Sequence, residues 1–167
     1  AYLKGIQYLE KITKDGFDAA EFYFSLAIDR DPGYAAAWAG ISNVWVSRLQ
    51  LNMTTREAGL PKAKAAALKA LDLDDTEVEA HRMLASILAW SAWDWEAAQR
   101  SSDRVFELDP MSAAGLSSYS HFLMVMKRPK EAMSNIELAL ALDPFNIRIQ
   151  SFYAVVLLCA RRYEDSL

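Results

Sequence analysis

A chain of 167 residues that is 53% apolar and carries a formal net charge of −4 can bury a substantial core. Its longest apolar run, Phe152 to Ala160, falls far short of the roughly 20 residues needed to cross a bilayer, so no membrane segment is expected. Scattered basic residues on an acidic background lack the positive stripe that nucleic acid requires, and the single cysteine, Cys159, leaves no internal disulfide framework and fits a reducing, cytoplasmic setting.

Six glycines and five prolines are spread along the chain, and no alternating apolar pattern competes with a 3.6-residue period, so the class is all-α. Ala1 to about Thr13 reads as a helix, with Tyr2, Ile6 and Leu9 on one side and Gly5 as a close-approach point; Lys14-Asp15-Gly16 reads as a turn. A second helix, about Phe17 to Arg30, carries Ala20, Phe24 and Ala27 at 12, 8 and 5 residues before Pro32. Those offsets recur as Ala63, Ala67 and Ala70 before Asp75, as Ala98, Ser102 and Val105 before Pro110, and as Ala132, Ile136 and Ala139 before Pro144. Small residues at these offsets let neighbouring helices approach closely.

The punctuation at Asp31-Pro32, Asp74-Asp75, Asp109-Pro110 and Asp143-Pro144 is spaced by 43, 35 and 34 residues. Two values near 34 and one about nine longer describe a fixed unit with one insertion. The reference copy lies between Pro110 and Pro144, with one helix from about Ser112 to Met126 and a second starting at Pro129. After each mark the pattern is large, large, small, large: Trp38, Ile41, Ser42 and Trp45; His81, Leu84, Ala85 and Leu88; Leu116, Tyr119, Ser120 and Leu123; Gln150, Tyr153, Ala154 and Leu157. His81 and Gln150 depart from it at a site where a bulky apolar residue is expected. Thr76 with Glu79 forms a capping-box sequence, and Thr54 with Glu57 marks a cap inside the insertion, with Pro61 near the first turns of a lengthened helix from Arg56 to Leu71. The insertion reads as tolerated, with a functional lip as the alternative.

These residues resemble the tetratricopeptide repeat, whose pattern is W-x2-L-G-x2-Y, then A-x3-F, then P. Small Ser or Ala replaces the common Gly. Pentatricopeptide repeats share the period, but their RNA-reading role needs a basic groove that this chain lacks. The resemblance implies one array over 1–167, with units at about 1–32, 33–75 (insertion near 49–60), 76–110, 111–144 and an incomplete 145–167. It also implies a right-handed superhelical solenoid of antiparallel helix pairs.

No catalytic constellation emerges. His81 and His121 lie forty residues apart without a Cys or carboxylate at ligand spacing, no phosphate loop or nucleophile elbow is present, and no metal or cofactor is expected. Cys159 and the Met124, Met126 and Met133 group read as core filler, and Asp74-Asp75 as a cap and turn. Three tryptophans within Trp90-Ser91-Ala92-Trp93-Asp94-Trp95 suggest a turn plugged by Trp93 and Trp95, with Trp90 the exception as an aromatic anchor. That turn also resembles tetratricopeptide regions attached to prokaryotic signalling proteins: nucleotide cyclases, winged-helix regulators and serine/threonine kinases.

The resemblance therefore implies a protein–protein interaction scaffold, not an enzyme, that holds a peptide or helix in a concave groove lined by first helices. The alternative is a regulatory docking segment of a signalling enzyme. By offset the groove comprises Asn43, Val46 and Ser47; Glu79, Arg82, Ser86 and Trp90; Ser117, His121, Met124 and Val125; and Arg148, Ser151 and Val155. Ala39 stands where a carboxylate clamp would want Lys, so no such clamp is expected, though Arg82 and Arg148 are candidates to pair a ligand carboxylate. Ala1 follows no initiator Met or signal peptide, and Arg161 to Leu167 begins a second helix with Tyr163 and Ser166 in phase. These give the expectation of a piece of a longer protein, with some self-association through the last full helix, Phe145 to Ala160. A periplasmic location is the alternative if a signal peptide lies upstream.

Overall fold

The computed structural model describes residues 1–160, without the side chains of Ser91 and Ala92; the expected helix start at 161–167 lies outside them. Among the described residues the elements are helical: α1 Tyr2–Leu9, α2 Lys14–Arg30, α3 Ala35–Gln50, α4 Arg56–Leu73, α5 Val78–Ile87, a π-helical turn Leu88–Ala92, α6 Trp95–Leu108, α7 Ala113–Val125, α8 Pro129–Leu142 and α9 Ile147–Cys159. They divide into two compact units, one of residues 1–101 and one from residue 102 onward. Within the first, α1 packs on α2, α2 on α3, α3 on α4 and α4 on α5; within the second, α7 packs on α8 and α8 on α9. Connections of a few residues force such neighbours to run antiparallel.

The Asp residues at the punctuation marks make one turn four times. Each of Asp31, Asp74, Asp109 and Asp143 caps the preceding helix with its N–H on the carbonyl four residues back, at Ala27, Ala70, Val105 and Ala139, and its own carbonyl accepts from the N–H three residues on. Three of the carboxylates also accept a backbone N–H two residues on, from Gly33, Thr76 and Met111. The residue six after the mark completes the junction. Trp38 Nε1–H donates to Pro32 O at 3.3 Å, Gln150 Nε2–H donates to Pro144 O at 2.7 Å, and His81 Nε2 lies 2.9 Å from Asp75 O. His81 and Gln150 thus preserve the N–H that Trp38 supplies, which explains their departure from an apolar consensus.

The turns inside each hairpin repeat as well. Ile12, Asn52, Trp93 and Lys127 all adopt left-handed backbone, with φ between 52° and 56°. In each case the chain reverses there before the next helix. Lys14–Gly16 is therefore not a turn: Thr13 caps α2 by accepting Gly16 N–H, and the reversal sits at Ile12, which also ends α1 short of Thr13. Two further caps fall one residue from their expected places. Thr55, not Thr54, caps α4 through Ala58 N–H, and Glu77, not Thr76, caps α5 through Glu79 N–H. Thr76 is already committed, since its N–H and its hydroxyl both bond Asp74 Oδ1.

The insertion can now be located. Ser42 Oγ donates to Ala63 O across 21 residues of chain, and Ser120 Oγ donates to Ala132 O across 12. The nine extra residues comprise three in α3 before Asn52, two between Asn52 and the cap Thr55, and four between that cap and Ala63. Pro61 lies within α4, at its sixth residue. The third repeat carries one extra residue, absorbed by the π-helical turn Leu88–Ala92 between Ala85 and Trp93.

The core follows the recurring offsets. Ala20, Phe24, Ala63, Ala67, Ala70, Ala98, Ala132, Ile136 and Ala139 are fully buried, with Ala27, Ser102 and Val105 nearly so. Phe24 explains two glycines: a Cβ on Gly5 or on Gly40 would lie 2.5 or 2.7 Å from its ring. Two core expectations fail. Cys159 is exposed and Met126 is 41% exposed; they stand at the C-terminal ends of α9 and α7.

Candidate interaction surface

The first helices of the hairpins are α1, α3, α5, α7 and α9, and the candidate groove residues divide on them into a buried set and an open set. In residues 1–101, Asn43, Val46, Ser47 and Arg82 are buried, while Glu79, Ser86 and Trp90 are part-buried. The buried polar groups satisfy one another. Ser47 Oγ–H donates to Asn43 Oδ1 at 3.1 Å, and Asn43 Nδ2–H donates to Glu79 Oε1 at 2.5 Å. Arg82 engages both oxygens of Glu79, with Nε to Oε2 at 2.8 Å and Nη2 to Oε1 at 2.5 Å. Ser86 Oγ–H bonds Arg82 O. This corrects one expectation: Arg82 holds Glu79 by a two-point grip, so its guanidinium is not poised for a ligand carboxylate.

A group of side chains that the offsets did not select stands beside this network. Tyr2 of α1 and Tyr34, the residue before α3, have ring centroids 5.0 Å apart, and both are part-buried. Burial, then the neighbouring Tyr34, then the charges of Glu77 and Glu79 push the Tyr2 hydroxyl up to about 12. Burial also raises the Glu77 carboxyl, against the hydrogen bond it accepts from Glu79 N–H, and the like charges of Glu79 and Asp74 add to the rise. Tyr2 was invisible to an offset argument because it comes from a different hairpin, and Glu77 because it is a cap one residue ahead of the helix.

In the second unit Ser117 is buried, with its hydroxyl unpartnered among the described residues. His121 lies against Phe152, ring centroids 5.2 Å apart, and burial lowers its pKa. Met124 and Arg148 are part-buried; Val125, Ser151 and Val155 are exposed, and Ser151 Oγ–H bonds Ile147 O. The tryptophan turn also differs from expectation: Trp93 does not plug it but is 58% exposed, with its ring edge-on to the part-buried Trp95 at 5.4 Å. Trp93 also holds the left-handed backbone of this turn, with φ of 55°.

Among the described residues no helix is long and apolar enough to cross a membrane, and no three His, Cys, Asp or Glu side chains are grouped to hold a metal ion. Helix hairpins repeating a capped Asp junction, a small-residue contact and a left-handed reversal define the tetratricopeptide-repeat fold, an all-α helical-repeat architecture. Solved structures agree. The chain is similar to TTC0263, a thermophilic tetratricopeptide protein of Thermus thermophilus, at 21% identity over 85% of this chain and 73% of that one, with a TM-score of 0.66. It is similar to MamA at 18% identity over 92% and 83%, TM-score 0.53, and to YrrB, a tetratricopeptide protein with an unusual peptide-binding site, at 20% over 92% and 74%, TM-score 0.50. No protein-family model and no curated protein matches the sequence.

Proposed function

We propose that this chain is a protein-interaction scaffold that holds a peptide or helix against its first helices. The observation that carries the reading is the apolar exposure on the packed pair α7 and α9, where Val125 and Val155 are 37% and 38% exposed and Met124 and His121 are part-buried. Apolar groups left open on a packed helical frame gain by burial against a ligand. The peptide-binding site named for YrrB supports the same reading on the same fold. The test is a peptide selected from a random library and titrated by calorimetry. Val125→Glu with Val155→Glu should weaken it about tenfold or more, and unchanged affinity would refute the reading.

Self-association is part of the proposal. Phe145, Ile147 and Leu158, at and around α9, are 90%, 64% and 49% exposed, an apolar flank that a second copy would cover. Sedimentation should show dimers or larger species at high micromolar concentration; a strict monomer there would remove this part.

A further inference from the structure

We propose that Glu79 occupies, from within the chain, a carboxylate site built by Asn43 and Arg82 on the first-helix face of residues 1–101, and that an acidic side chain of a bound peptide takes this site by displacing it. The inference rests on the peptide-scaffold reading and adds to it the chemistry of the ligand and an autoinhibitory contact.

Geometry is the first argument. The Glu79 carboxylate is received by donors from two hairpins: Asn43 Nδ2–H of α3 at 2.5 Å, and the Nε–H and Nη2–H of Arg82 on α5 at 2.8 and 2.5 Å. Ser47 sets the Asn43 amide, because its hydroxyl donates to Oδ1 and leaves the Nδ2 donors for Glu79. A guanidinium fork beside an amide N–H receives a planar carboxylate, whichever chain supplies it.

Burial is the second argument. Among the described residues three other ion pairs join side chains three residues apart, Lys69–Asp72, Arg104–Glu107 and Arg128–Glu131, and their basic side chains are 44%, 39% and 44% exposed. The Arg82 side chain is only 10% exposed against 30% for Glu79, and Asn43 is buried. The donors are thus sunk in the packing, and the acceptor is the member open to solvent. A buried guanidinium stripped of its carboxylate is costly, so a ligand enters this site by exchanging one carboxylate for another. Glu79 is tethered three residues from Arg82 and competes at high effective concentration, a threshold that a free acid meets poorly and a peptide anchored elsewhere on the face overcomes.

The test uses the whole chain and acetate, the fragment that Glu79→Ala removes. Acetate should raise the melting temperature of Glu79→Ala saturably and shift the Asn43 side-chain amide resonances, chloride at equal ionic strength should not, and the parent should respond to neither. N-acetyl-glutamate amide should bind Glu79→Ala about tenfold more tightly than the parent. Glu79→Gln, which keeps an oxygen for Asn43 but gives up the charge, should fall between them. A folded Glu79→Ala that ignores acetate, or that answers chloride equally, would overturn the site. Should Glu79→Ala fail to fold, Glu79→Gln decides alone, and parental affinity for the glutamate amide would overturn the displacement. Two failures are distinguishable. If library peptides bind the first helices while acetate leaves Glu79→Ala unmoved, the carboxylate site falls and the scaffold reading stands. If acetate restores Glu79→Ala while no library peptide binds, the scaffold reading falls instead.

Discussion

The hydroxyl of Ser42 donates to the carbonyl of Ala63 at 2.8 Å, joining the two helices of a hairpin at the place where Ser120 meets Ala132 at 2.7 Å in another. Both serines are fully buried, and both use the small position that the repeat reserves for close approach. Replacing either with Ala leaves a buried carbonyl without this donor. Each change should cost about 1 kcal/mol in denaturant unfolding. A loss in one hairpin but none in the other would break the equivalence of the two sites.

Phe24 fills the space that Gly5 and Gly40 leave open. It is fully buried, so its ring cannot step aside, and Gly40→Ala forces a methyl to 2.7 Å from it. Overpacking of this kind costs about 1–3 kcal/mol. The substitution should lower the melting temperature, and Phe24→Leu in the same chain should restore part of the loss. Full additivity of the two changes would contradict the contact.

How far the sequence disclosed this arrangement is clear from such sites. The offsets that selected Ala20, Phe24, Ala63, Ala132 and Ile136 selected residues that are now fully buried, because a period of 3.6 and a fixed unit length determine which face a helix buries. Caps fall one residue later than expected at Thr55 and Glu77; at Glu77 the reason is that Asp74 already holds Thr76, which local pattern does not reveal. The groove was phased onto the first helices, but offsets do not say whether a side chain meets solvent or the next helix. Asn43, Ser47 and Arg82 chose the latter and bonded within one network, while Trp93, expected inside, is turned out.

Lys127 adopts φ of 56° in the turn between α7 and α8, on an exposed side chain. A residue with a Cβ is strained there by about 1 kcal/mol, and Gly is not. Lys127→Gly should therefore stabilise the chain by about that amount, although it removes a charge and loosens the unfolded state. Unchanged or reduced stability in urea would show that the turn is held differently.

Tyr2 links stability to alkaline pH. Its hydroxyl is raised from 10.0 to about 12 in the folded chain, so between those values the folded state retains a proton that the unfolded state has lost. Stability must then fall as pH rises from 10 towards 12. Tyr2→Phe should fall less steeply over that window, and ultraviolet titration should lose one late-ionising tyrosine. Parallel pH profiles for the two proteins would contradict the burial of Tyr2.

The claim that organises all of these is that ligands meet the first helix of each hairpin. Amide chemical-shift mapping with a library-selected peptide reads this directly. Within each unit the largest shifts should fall on the first helices, α1, α3 and α5 in the one and α7 and α9 in the other; shifts concentrated instead on α2, α4, α6 and α8 would contradict the account.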